Sequence, residues 1–126
     1  MKIAVIVARI LLGVIFVFFG LNGFLQFIKA PLPTGLAGQF LMVLFESHYV
    51  LFVSAVQLVG GALLLVNRYV PLALTLLGPV IVNIILYHLL LNPKMAQLAV
   101  VATVLWIFLL YRYRQYFSGI FVQKAL

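Results

Sequence analysis

Residues 80–93 read VIVNIILYHLLLNP, and Asn83 and His88 stand there among Val, Ile and Leu. Asn22 and Gln26, four residues apart, and Gln57 occupy similarly apolar surroundings. An amide both donates and accepts hydrogen bonds, and a neutral imidazole does one of each. Such groups cost free energy in hydrocarbon unless they are paired. Two uses are open to them. They can act as glue between helices, at about 0.6 kcal/mol per bond. Alternatively, they can ring a small cavity that holds a polar head group or a quinone ring. Asn22, Gln26, Gln57, Asn83 and His88 are therefore the candidate ligand-binding set.

Other chemistries find little support. His88 has only His48 as a companion imidazole, and neither has Asp, Glu or Cys nearby in a metal-ligand spacing, so no metal site is expected. A bis-His haem would need both rings at one depth. Ser47, Ser54 and Ser118 show no accompanying His–acid pattern, and no catalytic residue is assigned. The chain has no cysteine, which excludes disulfides, thiol relays and Cys-ligated clusters.

The elements that position these residues follow from composition. Of 126 residues, 67% are hydrophobic and 7% charged. A soluble domain is about half apolar, so this chain belongs in a bilayer. The net charge is +7 with a single acid, Glu46. The basic residues are too scattered for a nucleic-acid face; they fall beside apolar runs, where they set topology and meet lipid head groups.

Four apolar segments emerge, at about 3–28, 49–66, 69–91 and 95–111. About 20 residues cross the hydrocarbon at 1.5 Å per residue. The expected fold is all-α: a polytopic, four-transmembrane-helix antiparallel bundle forming one domain over 1–126. The N-terminal run imitates a signal peptide, but Arg9 interrupts it and no small-residue cleavage site follows, so a retained first span is expected. The prolines and glycine of KAPLPTG stop the first span. LAGQFLMVLFES then forms a short interfacial or re-entrant helix. NRYVP and NPK are tight turns, and residues 112–126 form a basic, aromatic interfacial tail. Lys2, Arg68, Arg112, Arg114 and Lys124, with Arg9 nearby, outnumber Lys29 and Lys94 on the other side. The positive-inside rule then places both termini in the cytoplasm of a cell inner membrane. In that topology Asn22, Gln26, Asn83, His88 and Gln97 share the outer half, with Gln57 beneath them. Gln39, Glu46 and His48 fall in the segment that covers that end.

Helical phase separates packing from chemistry. At about 100° per residue, Arg9, Gly13, Phe16, Gly20, Gly23 and Phe27 share one stripe. Gly13, Gly20 and Gly23 there, and Gly60 and Gly61 in QLVGGALLL, are expected to let helices approach closely. Pro79 removes an N–H and deprives the Thr75 carbonyl of its usual donor, which predicts a kink. Arg9, about 9 Å along the helix from Ile3, is expected to snorkel to cytoplasmic head groups.

ARILLGVIFVFFGLNGFLQF, LAGQF, VQLVGGALLLVNRYVPLAL and PVIVNIILYHLLLNP, in that order, resemble the DoxX family of small bacterial membrane proteins. The resemblance covers nearly the whole chain and implies a four-helix transmembrane bundle. The family is named after a subunit of an archaeal quinone-linked, thiosulfate-oxidising system, and other members resemble partners in membrane redox or oxidative-stress assemblies. Arg9, Asn22, Asn83 and His88 match positions of the family pattern. Gln57 stands where such chains often carry Glu, and Gln cannot release a proton at neutral pH. SHYV, with His48, replaces a more usual small-residue turn.

The resemblance and the outer polar set together predict a quinone- or lipid-binding accessory subunit of a membrane redox complex, not catalytic alone, with Phe24, Phe27 and Tyr87 able to flank a flat ring. Membrane lipids, a redox partner or a homo-oligomer are the expected partners. The alternative is an assembly protein that packs on another membrane protein through the Gly13/Gly20/Gly23 seam or the basic tail. A small proton-coupled transporter ranks last, since no span contains Asp or Glu.

Overall fold

A computed structural model describes residues 2–26, 33–93 and 96–124. Among them all regular structure is helical: α1 (Lys2–Leu25), α2 (Gly35–Glu46), α3 (Tyr49–Val66), α4 (Val70–Leu90), α5 (Gln97–Arg112) and a 3₁₀ helix, Arg114–Phe121. Helices α1, α3 and α4 are long and apolar enough to cross a membrane. At 1.5 Å per residue they measure about 36, 27 and 32 Å, against a hydrocarbon thickness of about 30 Å. The expected fourth span differs. Helix α5 has 16 residues, about 24 Å. The chain then bends by 78° into the 3₁₀ helix, so a fourth crossing of full length counts only if that bent pair is one span.

Helix ends follow local backbone chemistry. Helix α1 stops at Leu25, short of the expected residue 28, because Gln26 turns left-handed with φ 51°. Its N–H bonds the Asn22 carbonyl at 2.8 Å, which closes the last turn. Phe27, Ile28 and Lys29 lie outside the described residues, as do Lys94 and Met95. Asn67, φ 56°, ends α3. The N–H groups of Asn67 and Arg68 reach back to Leu64 and Leu63, both bonds of a Schellman closure. Pro71, in the first turn of α4, has no N–H to leave unpaired there. Between α2 and α3, His48 is left-handed with φ 64°. Histidine tolerates that conformation better than most side chains, though small residues take it more readily. Helix α4 runs through Pro79 as one element.

Helix α1 packs on α3 and α5, and α4 packs on the same two; α2 rests on α3. The α1–α3 contact is the most extensive of these, and it is made by glycine. A methyl at Gly20 would lie 2.8 Å from the Leu58 backbone nitrogen, and one at Gly61 2.7 Å from that of Val17. Gly23 faces Ser54, and Gly13 faces Leu65 and the Gly61 carbonyl. Positions climb on α1 as they fall on α3, so these two run in opposite directions. Gly60 looks the other way, onto Leu77 of α4. The adjacent glycines thus serve two different neighbours. Leu12, Phe16, Leu64, Leu74, Leu77, Ile81 and Leu109 fill the interior. Phe52, Val82, Val104 and Ile107 are among many large apolar residues left exposed. Water would penalise such a surface, whereas acyl chains accept it.

Candidate functional site

Within the helices, polar side chains find their partners one turn back. Thr75 Oγ1 donates to the Pro71 carbonyl at 2.9 Å, Asn83 Nδ2 to Pro79 at 2.8 Å and Thr103 Oγ1 to Ala99 at 2.7 Å. His88 Nδ1 lies 2.8 Å from the Ile84 carbonyl. A carbonyl oxygen only accepts, so Nδ1 carries the proton there, and Nε2 of the neutral ring remains an acceptor. A carbonyl four residues back is within reach of a short side chain without help from another helix, and its second lone pair is free for the bond.

This changes the picture of the five candidates. Asn83 is exposed and satisfied by its own helix, so it does not turn inward as expected. Gln26 is exposed at the end of α1. Asn22, Gln57 and His88 are half-buried on α1, α3 and α4. The expected inward ring therefore lacks Asn83 and Gln26. Among the described residues no group of three or more His, Cys, Asp or Glu gathers for a metal.

His88 belongs to a different cluster. Its ring stands edge-on to Tyr87, centroids 5.1 Å apart, and Phe40 of α2 lies over Tyr87 at 5.9 Å. Such offset and edge contacts between rings are attractive. Beside them a shallow hollow is lined by Leu36, Gln39, Phe40 and Val43 of α2 and by Leu91. Its walls are apolar except for the Gln39 amide. Phe24 is exposed on α1. The Phe40–Tyr87 pairing was not visible beforehand, because α2 carried no signal of which helix it would meet.

At the opposite end, Arg9 does not reach out to head groups. Its Nη1 donates to the Leu64 and Leu65 carbonyls, the latter at 3.3 Å. These are terminal carbonyls of α3, where the helix dipole is negative. The guanidinium thus finds a counter-charge made of backbone, and no acid is needed. Trp106 Nε1 donates to the Leu74 carbonyl at 3.0 Å, joining α5 to α4. Gly78 makes room for the indole, since a methyl there would lie 3.3 Å from the ring. A lone Trp inside an apolar helix, with an N–H that must be paired when buried, was the available signal for this contact.

Comparison with family models, with curated proteins and with solved structures finds no match to this chain.

Proposed function

We propose that the protein is a DoxX-like, four-span antiparallel membrane protein with both termini cytoplasmic. In this reading it binds a quinone or a lipid at its outer end and serves as a non-catalytic accessory subunit of a membrane redox assembly. The observation that carries the reading is α2 packed on α3 with its Phe40 against Tyr87 of α4 and His88 at the Tyr87 edge, the end this topology makes the outer one. Tilted and edge-on rings beside an apolar hollow suit a flat ring or an acyl chain. At that end the Gln39 amide can donate to a carbonyl, and His88 Nε2 can accept from a hydroxyl. The fourth crossing is assigned to α5, with Arg112 and the flanking tyrosines reaching the interface. The assembly alternative loses its first surface, because the Gly13/Gly20/Gly23 seam is filled by α3.

Quinone titration into the detergent-solubilised protein tests the reading. Phe40→Ala and Tyr87→Ala are expected to weaken binding by about three- to tenfold each, the range of one aromatic contact. Asn83→Leu should leave it unchanged, since that side chain bonds its own helix and does not line the hollow. Binding insensitive to both ring deletions would move the site elsewhere, and an absence of saturable binding by quinone or lipid would end the proposal.

A further inference from the structure

Positive charge gathers at the end where α1 begins and α5 finishes. Lys2 opens α1, Arg68 lies between α3 and α4, Arg112 closes α5 and Arg114 opens the 3₁₀ helix. The α3 carbonyls engage Arg9. The chain's single acid, Glu46, closes α2 at the other end. The remaining cations therefore have no carboxylate side chain of this protein beside them.

Two of these cations are organised. At the 78° bend Arg112, Arg114 and Gln115 line one hollow. Arg114 is held there: Nη1 donates to the Tyr111 carbonyl at 2.9 Å, and the guanidinium lies 4.3 Å from the Tyr111 ring centroid. Tyr113 and Phe117 anchor the segment by packing against the core. A guanidinium already oriented loses less freedom when it binds.

The geometry points to a phosphate-binding clamp, Arg112 and Arg114 with the Gln115 amide, that holds the phosphodiester of an anionic phospholipid. The clamp stands apart from the outer-end site and does not depend on it. Phosphate oxygens match the guanidinium fork, and the amide adds a neutral donor. A lipid source is favoured over a free anion by position. Tyr111 and Tyr116 are exposed beside the clamp, as tyrosines are at the level of head groups, and the exposed Val104 and Ile107 of α5 can run alongside acyl chains.

Native mass spectrometry of the protein released from bilayers of mixed phosphatidylglycerol and phosphatidylcholine reads the clamp directly. Wild type should retain phosphatidylglycerol preferentially, and R112Q/R114Q should lose that enrichment by about tenfold or more, a factor of about ten being the scale of a single charge-assisted bond. R68Q/K124Q removes equal charge and should lose far less. R114K keeps the charge without the fork and should fall between wild type and the double variant. Should R112Q/R114Q fail to fold, R112Q alone carries the test, because Arg112 is exposed. Equal loss in the two double variants would reduce the clamp to diffuse attraction and overturn it. Absence of enrichment in wild type, or full displacement of the lipid by inorganic phosphate, would overturn the lipid assignment.

Discussion

Gly60 and Gly61 are neighbours with the same helix propensity and opposite surroundings. A methyl at Gly61 meets backbone, the Val17 nitrogen at 2.7 Å and the Gly13 carbonyl at 2.9 Å; one at Gly60 meets only the Leu77 side chain. Backbone cannot swing aside, whereas the buried Leu77 side chain can give way by a few tenths of an ångström at the expense of its own packing. Overpacking costs about 1–3 kcal/mol, and Gly→Ala in a helix returns up to about 1 kcal/mol. Gly61→Ala should therefore destabilise by the overpacking cost less that return, and Gly60→Ala should destabilise by less than Gly61→Ala. Unfolding in mixed micelles measures both, and equal effects would show that α1 and α3 do not approach as closely as described. The glycine stripe was legible as a seam because small residues recur on one face of the first helix. Its partner was not, since nothing in GVIFVFFGLNG names α3 over any other helix. The amides misled for a related reason. Convergence looked necessary while the only visible acceptors were other side chains, but Asn83 and His88 each use a carbonyl four residues back.

At the scale of the element, charge can close a helix. Arg9 of α1 lies against the last carbonyls of α3, a contact between residues 55 and 56 positions apart. Charge-assisted bonds of this kind contribute about 1.5–3 kcal/mol. Arg9→Met keeps the apolar stem and removes the donors. It should destabilise by about that amount, and amide exchange should accelerate at Asn67 and Arg68, whose N–H groups close the same turn. Exchange that speeds up uniformly along the chain, with no excess at that turn, would detach Arg9 from the end of α3. Helices α3 and α4 were legible end to end, because Asn67 and Pro71 announce a stop and a start. The end of α1 was not, since glutamine is no usual left-handed residue and Gln26 becomes one here. Nor was the bend after α5. YRYRQYF contains neither proline nor glycine, and the segment turns by placing Tyr113 and Phe117 on the core and its arginines outside.

For the whole molecule, the number of crossings decides which side each end occupies. Helix α5 at about 24 Å is shorter than the hydrocarbon, yet bilayers thin locally around short spans for fractions of a kcal/mol per Å. The Trp106–Leu74 bond holds the middle of α5 against the first turns of α4, a helix long and apolar enough to cross a membrane. A helix held in that register beside a spanning neighbour should itself cross. The absence of cysteine makes a direct test available, since single thiols can be introduced into an otherwise unreactive chain. Ser47→Cys marks the α2–α3 turn, Asn67→Cys the α3–α4 turn and Ser118→Cys the 3₁₀ helix, all exposed positions. In inverted and right-side-out vesicles, an impermeant maleimide should modify positions 67 and 118 from one side and 47 from the other. The positive-inside rule predicts that the side of 67 and 118 is the cytoplasmic one. If position 118 instead reacts together with 47, α5 does not cross and the chain has three spans. The basic 3₁₀ segment would then sit on the outer face, and the charge asymmetry would no longer explain the orientation.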